Sequence, residues 1–167
     1  MSLDPRPHNT LAVHPLRTMC IRFIKPAETH VLRQHVLRPT QAIAEMEWSH
    51  DDAEGSFHLG AEEDRDGSDD GLISIASFVR ERCVQLPGSH QYRLRGMATA
   101  QEHRGKGIGA ALLRSGLEHL HHLKADLVWC NAREAALGFY EREGFTSQGA
   151  AFMIEGIGLH HLMFRQL

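Results

Sequence analysis

The stretch HRGKGIG (103–109) sets three glycines and two cations between an apolar strand-like run, QYRLRGMAT (91–99), and an amphipathic helical run that begins at Gly107. From Gly107 to about Leu123 the residues Leu112, Leu113, Gly116, Leu117 and Leu120 recur on one helical face. LVWC (127–130) then reads as a short buried strand. Strand, glycine turn, helix and strand in this order point to an α/β domain. The main-chain N–H groups of residues 104–110 lack intrahelical partners at such a helix start. With no Cβ at Gly105, Gly107 and Gly109, they can approach an anion closely, and Arg104 and Lys106 add charge.

Three classes of anionic ligand use such turns. A nucleoside-triphosphate loop requires Ser or Thr after the lysine, and Lys106 is followed by Gly107. Gly105, Gly107 and Ala110 match a relaxed dinucleotide fingerprint, yet AQEHR (100–104) separates them from the strand end. The acid expected to cap the next strand is also misplaced, since Asp126 precedes LVWC. A coenzyme A pyrophosphate fits the order of parts, with Ile108 and Ala110 completing the first helical turn.

The rest of the chain is consistent with one domain. A length of 167 residues suits a single core, and the net charge of −3 with scattered basic residues disfavours nucleic-acid binding. Cys20, Cys83 and Cys130 are odd in number and widely spaced, so they read as small buried hydrophobes in a reducing, cytoplasmic setting. Residues 1–18 read as a mobile tail with no apolar run for a membrane segment. CIRFI (20–24), GSFHLGAEE (55–63) and GLISIASFVRE (71–81) read as strands, the last two joined by an acidic hairpin loop. PAETHVLRQHVLR (26–38) reads as a helix between two prolines. Asn131 and Glu134 form a capping-box-like start to AREAALGFYERE, which stops at Gly144. FTSQGAAFMIE and HHLMFRQL read as two closing strands. The cluster His119, His121 and His122 reads as a solvated helix end, and no metal site is expected.

RGKGIG resembles the (Arg/Gln)-x-x-Gly-x-(Gly/Ala) signature of the GNAT superfamily of acyl-CoA-dependent N-acyltransferases, with Arg104, Gly107 and Gly109 at the matching positions. LRGMAT and NAREAALGFYEREGF are similar to the family's flanking segments, so the resemblance covers most of residues 92–145. It implies a GNAT-like α/β fold over residues 19–167: a mixed, twisted sheet of about six to seven strands, flanked by helices, with splayed central parallel strands. It also implies acetyl-CoA as acyl donor, an amine acceptor, and a pantetheine arm held by main-chain groups of Met97, Ala98 and Thr99. A homodimer is compatible with the reading. The isolated Gly96 independently suggests a bulge that bends its strand away from LVWC.

The resemblance makes Tyr140 the candidate acid for the departing thiolate and a coenzyme-contacting residue, whereas Phe139 reads as core. Asn131 either contacts the coenzyme or caps its helix. The base is open. No carboxylate lies within QYRLRGMAT, which leaves Glu155, His160 and His161 near the GIG turn (156–158), and His160 is taken as the base because a neutral imidazole accepts a proton near neutral pH. The acceptor side falls to the first helices and IAEMEWSHDDAEG (43–55). Its acids suit a cationic amine, while Arg33 and Arg38 suit a carboxylate-bearing one. A coenzyme-binding sensor without transferase activity and a dinucleotide-binding module are the alternatives.

Overall fold

The computed structural model describes residues 19–63 and 71–167. The tail at 1–18 and most of the acidic loop lie outside the described residues. Eight strands form one sheet: β1 (Met19–Ile24), β2 (Phe57–Glu63), β3 (Leu72–Arg80), β4 (Gln91–Thr99), β5 (Leu127–Arg133), β6 (Thr146–Ser147), β7 (Phe152–Ile154) and β8 (Gly158–Gln166). Their order is β1-β2-β3-β4-β5-β8-β6, with β7 also on β8. Every pairing is antiparallel except β4 with β5, the two strands connected through the glycine turn and helix α2 (Ile108–His122). The expected mixed sheet is present, extended to eight strands by the short β6 and β7.

Helix α2 covers the sheet with the face its sequence period marks. Leu112, Leu113, Leu117 and Leu120 are buried together with Phe57, Phe78, Leu94 and Val128. Gly116 is a close-packing position, because a Cβ there would come within 2.2 Å of the Phe78 ring. At the helix end His121 and His122 are exposed, but His119 packs edge-on against Phe57 and Phe23, with ring centroids 4.6 and 5.0 Å away. That ring is part of the packing rather than of a solvated end.

Three boundaries differ from the sequence reading. Strand β5 continues to Arg133, because β8 pairs with it rung for rung from Leu127↔Gln166 to Arg133↔His160. Asn131 is therefore a strand residue and caps nothing. The following helix begins as a 3-10 turn, Glu134–Ala136, and becomes α3 over Leu137–Arg142. The segment after Gly144 is broken into β6 and β7, with Gly149 between them at φ +75°.

The first helical region begins at Pro26, where the Glu28 carboxylate accepts the Lys25 N–H at 2.6 Å. It widens along its length, with more residues to each turn: a 3-10 turn (Pro26–Thr29), the α-turn α1 (His30–Leu32) and a π-helical turn (Arg33–Leu37). The Arg38 N–H accordingly reaches both the Arg33 and the Gln34 carbonyls. The widening coincides with Arg33, a wholly buried arginine that donates to Ser77 of β3. The three cysteines are free, but only Cys130 is buried; Cys83 is half-buried and Cys20 exposed, so the small-hydrophobe reading holds for Cys130 alone.

Candidate functional site

The site begins with a failure of strand pairing. Strands β4 and β5 share only three rungs, Gln91↔Leu127, Tyr92↔Val128 and Arg93↔Trp129, and then diverge. The cause lies in β4, where Ile75 faces Ala98 but Ser77 faces Arg95, which places one extra residue on β4 around Gly96. Gly96 has φ +61°, and a Cβ there would meet Trp48 at 2.9 Å and the Arg33 Nε at 3.1 Å. Glycine is thus demanded both by backbone and by space.

The divergence opens a cavity of about 590 Å³ lined by β4 from Arg93 to Thr99, β5 from Cys130 to Arg133, the first helical region and the β7–β8 turn. Met97, Ala98, Thr99, Arg104, Gly109, Asn131, Tyr140 and His160 all line it, so the structure gathers residues from both ends of the motif region. A larger and more open concavity, about 760 Å³, lies around Arg114, Glu143 and Arg165 and contains none of the expected site residues.

Along the cavity wall, Ala100 N–H bonds to the Ile73 carbonyl on β3. By the two-residue period of a strand, the main-chain groups of Ala98 also face β3 and those of Thr99 face the opening. The Arg104 Nε–H donates to the Thr99 carbonyl from that side at 3.1 Å. Arg104, Gly105, Lys106 and Gly107 are exposed on the rim, while Ile108 is buried and anchors the helix start. Gly105 and Gly107 have φ +73° and +79°, and nothing lies within 4 Å of where their Cβ atoms would be. Gly107 is the N-cap of α2 and supplies no side-chain cap, so the first intrahelical bond is Ala111 N–H to the Gly107 carbonyl. The Arg104 N–H is donated to the Gln101 carbonyl at 3.3 Å, whereas those from Gly105 to Ala110 precede the first bond of α2 at an unobstructed surface, which fits an anion.

Tyr140 is 8% exposed, between Phe139 and Phe145, with its hydroxyl donating to the Met97 Sδ at 3.9 Å. Sulfur is a weak acceptor, so this hydrogen is readily given to a better one. Burial, and after it the neighbouring Cys130, pushes the Tyr140 hydroxyl well above its usual range, so the group is held as a proton donor. Phe139 also lines the cavity instead of being plain core.

His160 is buried, and its Nδ1–H donates to the Gly158 carbonyl at 2.8 Å. A carbonyl only accepts, so the neutral ring carries its lone pair on Nε2. Of the other base candidates, Glu155 is exposed on the turn and His161 is half-buried on the adjacent, oppositely directed position; neither lines the cavity.

Sequence reasoning missed the buried polar network beneath Trp48. Arg33 donates to the Asp51 carboxylate through both Nη atoms, one at 2.9 Å, and to the Met46 carbonyl and Ser77 Oγ. Ser77 in turn meets His58 Nδ1 at 2.7 Å, and His58 Nε2–H reaches the Asp51 carbonyl at 3.0 Å. Arg33 and Asp51 therefore neutralise each other and are not available to an acceptor, which removes one member from each of the two opposed charge readings. Asp126 is also engaged: its carboxylate accepts the Ser89 and His90 N–H groups at 2.7 and 2.8 Å, which leaves it no role at a ribose. Among the described residues no group of three His, Cys, Asp or Glu is placed to hold a metal ion, and no helix is long and apolar enough to cross a membrane.

A sequence profile of the Acetyltransferase (GNAT) family matches residues 23–145. The chain is 39% identical over 147 residues to the Uncharacterized N-acetyltransferase YitI of Bacillus subtilis (strain 168), covering 88% of this chain and 95% of that protein. Among solved structures, the NatC complex bound to Gag peptide and CoA superposes with a TM-score of 0.71 at 14% identity, over 89% of this chain and 98% of that one. The IAA acetyltransferase from Bacillus cereus ATCC 14579 superposes with a TM-score of 0.64 at 17% identity, over 90% and 100%. These two likenesses concern the fold; the profile and the Bacillus subtilis relative carry the relationship. The chain belongs to the GNAT family and is an acyltransferase of the N-acetyltransferase class.

Proposed function

We propose that this N-acetyltransferase uses acetyl-CoA as donor and a primary amine as acceptor, and that both meet in the cavity between the diverging strands. The observation that carries the reading is the juxtaposition, in one cavity, of an unpaired strand edge, an uncapped glycine-rich helix start and a buried tyrosine hydroxyl. Bound there, acetyl-CoA supplies an acyl carbon activated by its thioester. Main-chain N–H groups from Gly105 to Ala110 bind the pyrophosphate, with the Arg104 and Lys106 side chains adding charge. The edge of β4 from Met97 to Thr99 aligns the pantetheine arm, and Asn131 offers an amide to it from β5. The main-chain N–H at the bulge faces the developing oxyanion. His160 Nε2 takes the proton of the attacking amine, and the Tyr140 hydroxyl protonates the departing thiolate as the C–N bond forms and the C–S bond breaks.

The three free thiols, one of them exposed, support a reducing compartment such as the cytoplasm. The test is calorimetric titration with CoA followed by thiol release on mixing protein, acetyl-CoA and a panel of amines. CoA binding with amine-dependent thiol release is expected. Absence of CoA binding overturns the coenzyme assignment, and binding without release from any acceptor overturns the transfer assignment.

A further inference from the structure

The wall of the cavity that faces the first helical region carries a surplus of positive charge. Arg38, Arg93, Arg95, Arg104 and Arg133 all line the cavity, and no Asp or Glu does. Arg104 belongs to the glycine turn. Arg93 is answered by Glu81 at 3.1 Å, although its Nε is buried without a partner. The remaining three have no carboxylate in ion-pair contact among the described residues.

Their hydrogen bonds go to neutral groups. Arg38 Nη1 and Arg133 Nη2 converge on one acceptor, the Leu37 carbonyl, at 3.0 and 2.9 Å. Arg95 Nη1 reaches the Ser49 carbonyl at 3.0 Å. The Trp48 ring gathers the guanidinium groups of Arg33, Arg95 and Arg38, at 4.1, 4.8 and 5.9 Å from its centroid. Of these, only Arg33 has an anionic partner among the described residues, the buried Asp51. Burial and the neighbouring Arg133 charge both disfavour the cationic form of Arg38, and burial does the same for Arg95, with the charge of Arg93 second.

Partly buried guanidinium groups that repel one another and bond only to carbonyls lack the counter-charge that normally compensates their desolvation. Their planar forks match a carboxylate or phosphate. Coenzyme phosphates are a poor fit for Arg95: it precedes Thr99 by four residues of strand, a rise of roughly 13 Å, and lies on the far side of the bulge from the glycine turn.

We infer that the acceptor is an amine carrying an oxyanion group, a carboxylate or a phosphate, and that Arg38, Arg95 and Arg133 bind this group while the amine nitrogen turns toward the opening between β4 and β5. The inference rests on the N-acetyltransfer reading for the amine and on the arginine geometry for the anion. The same field disfavours a second positive charge, so it discriminates against polyamines and favours the neutral form of the attacking nitrogen.

Matched pairs test it: amino acids against their carboxamides, O-phosphoethanolamine against ethanolamine, and spermidine as a polycation. Each is titrated by calorimetry into protein saturated with CoA and assayed for thiol release with acetyl-CoA. At least one anionic member is expected to bind tenfold or more tightly than its uncharged partner, and the carboxylate and phosphate arms identify which oxyanion is read. Arg95→Ala and Arg38→Gln should each erase most of that preference, Arg95→Lys should restore part of it, and CoA affinity should stay within about twofold. Equal binding within every pair, no binding by any anionic member, or preference for spermidine overturns the inference, even if transfer occurs. Selective binding of an anionic amine without thiol release would instead leave the anion site standing and remove the transferase assignment.

Discussion

The Tyr140 hydroxyl combines two properties that a general acid at a thiolate needs: burial holds its proton, and its present acceptor is a thioether sulfur. Tyr140→Phe preserves the ring packing against Phe139 and Phe145 and removes only that hydrogen. Turnover should fall by roughly 10²- to 10⁴-fold with a nearly unchanged KM for acetyl-CoA, and the loss should shrink for a thioester with a more acidic thiol. Steady-state kinetics with both donors measure it; an equal, modest effect on the two would return Tyr140 to packing alone. A second residue-scale expectation concerns the floor beneath Trp48. Burial raises the Asp51 pKa, but the Arg33 hydrogen bonds and charge and the Trp48 N–H more than reverse this, so it is held below the usual range; burial lowers that of His58. Both folded-state values are depressed, so both groups contribute stability above their unfolded pKa values that is lost as pH falls. The urea midpoint should therefore decline first below about pH 6.5 as unfolded His58 gains its proton, and again below about pH 3.9 through Asp51. His58→Gln should flatten the first decline only. An unchanged profile in that variant would assign the slope to other histidines.

At the scale of elements, the glycine turn and the bulge constrain the chain differently. Gly105 and Gly107 have open space around them but require a left-handed backbone, whereas Gly96 requires both that backbone and the absence of a side chain. Gly107→Val should remove CoA binding, because a branched side chain is strained at positive φ and obstructs the helix start. Gly107→Asn should retain the turn, since asparagine tolerates that conformation, and should lose less affinity; calorimetry on folded variants separates turn geometry from obstruction. Equal affinity in all three proteins would remove the pyrophosphate from this turn. The same distinction explains which elements were legible. β4 and α2 were placed closely because period, turn residues and burial agree over Gln91–Thr99 and Ile108–His122. β5 was cut short because Asn131 and Glu134 imitate a helix start, and only the nonlocal partner β8 overrides that signal. The first helical region hid its π turn because Arg33 reads as a cation suited to a carboxylate-bearing acceptor until Asp51 and Ser77, distant in sequence, are brought against it.

For the molecule as a whole, the fold was legible because the motif region spans the two central strands and the helix between them, and the cavity follows from their geometry. The arginine-lined wall of the cavity was not, since its charge balance depends on which arginines find carboxylates in three dimensions. Among the described residues Arg33 does and Arg38 and Arg95 do not, a difference no spacing in the sequence encodes. The three-rung seam between β4 and β5 also gives this sheet an edge in its interior. Edges ordinarily lie at the outer margin, where they invite other chains; here the unpaired groups sit in a recess that admits a slender partner and excludes a second sheet. With the coenzyme arm bound as proposed, this eight-strand sheet would gain one further strand from its ligand. Amide hydrogen exchange should show it: the Thr99 amide, facing the recess, should exchange as an outer-edge amide does, beside slow exchange at Ala100, which is bonded to β3. Addition of CoA should slow the former and leave the latter unchanged, so that the ligand is registered as a change of secondary structure.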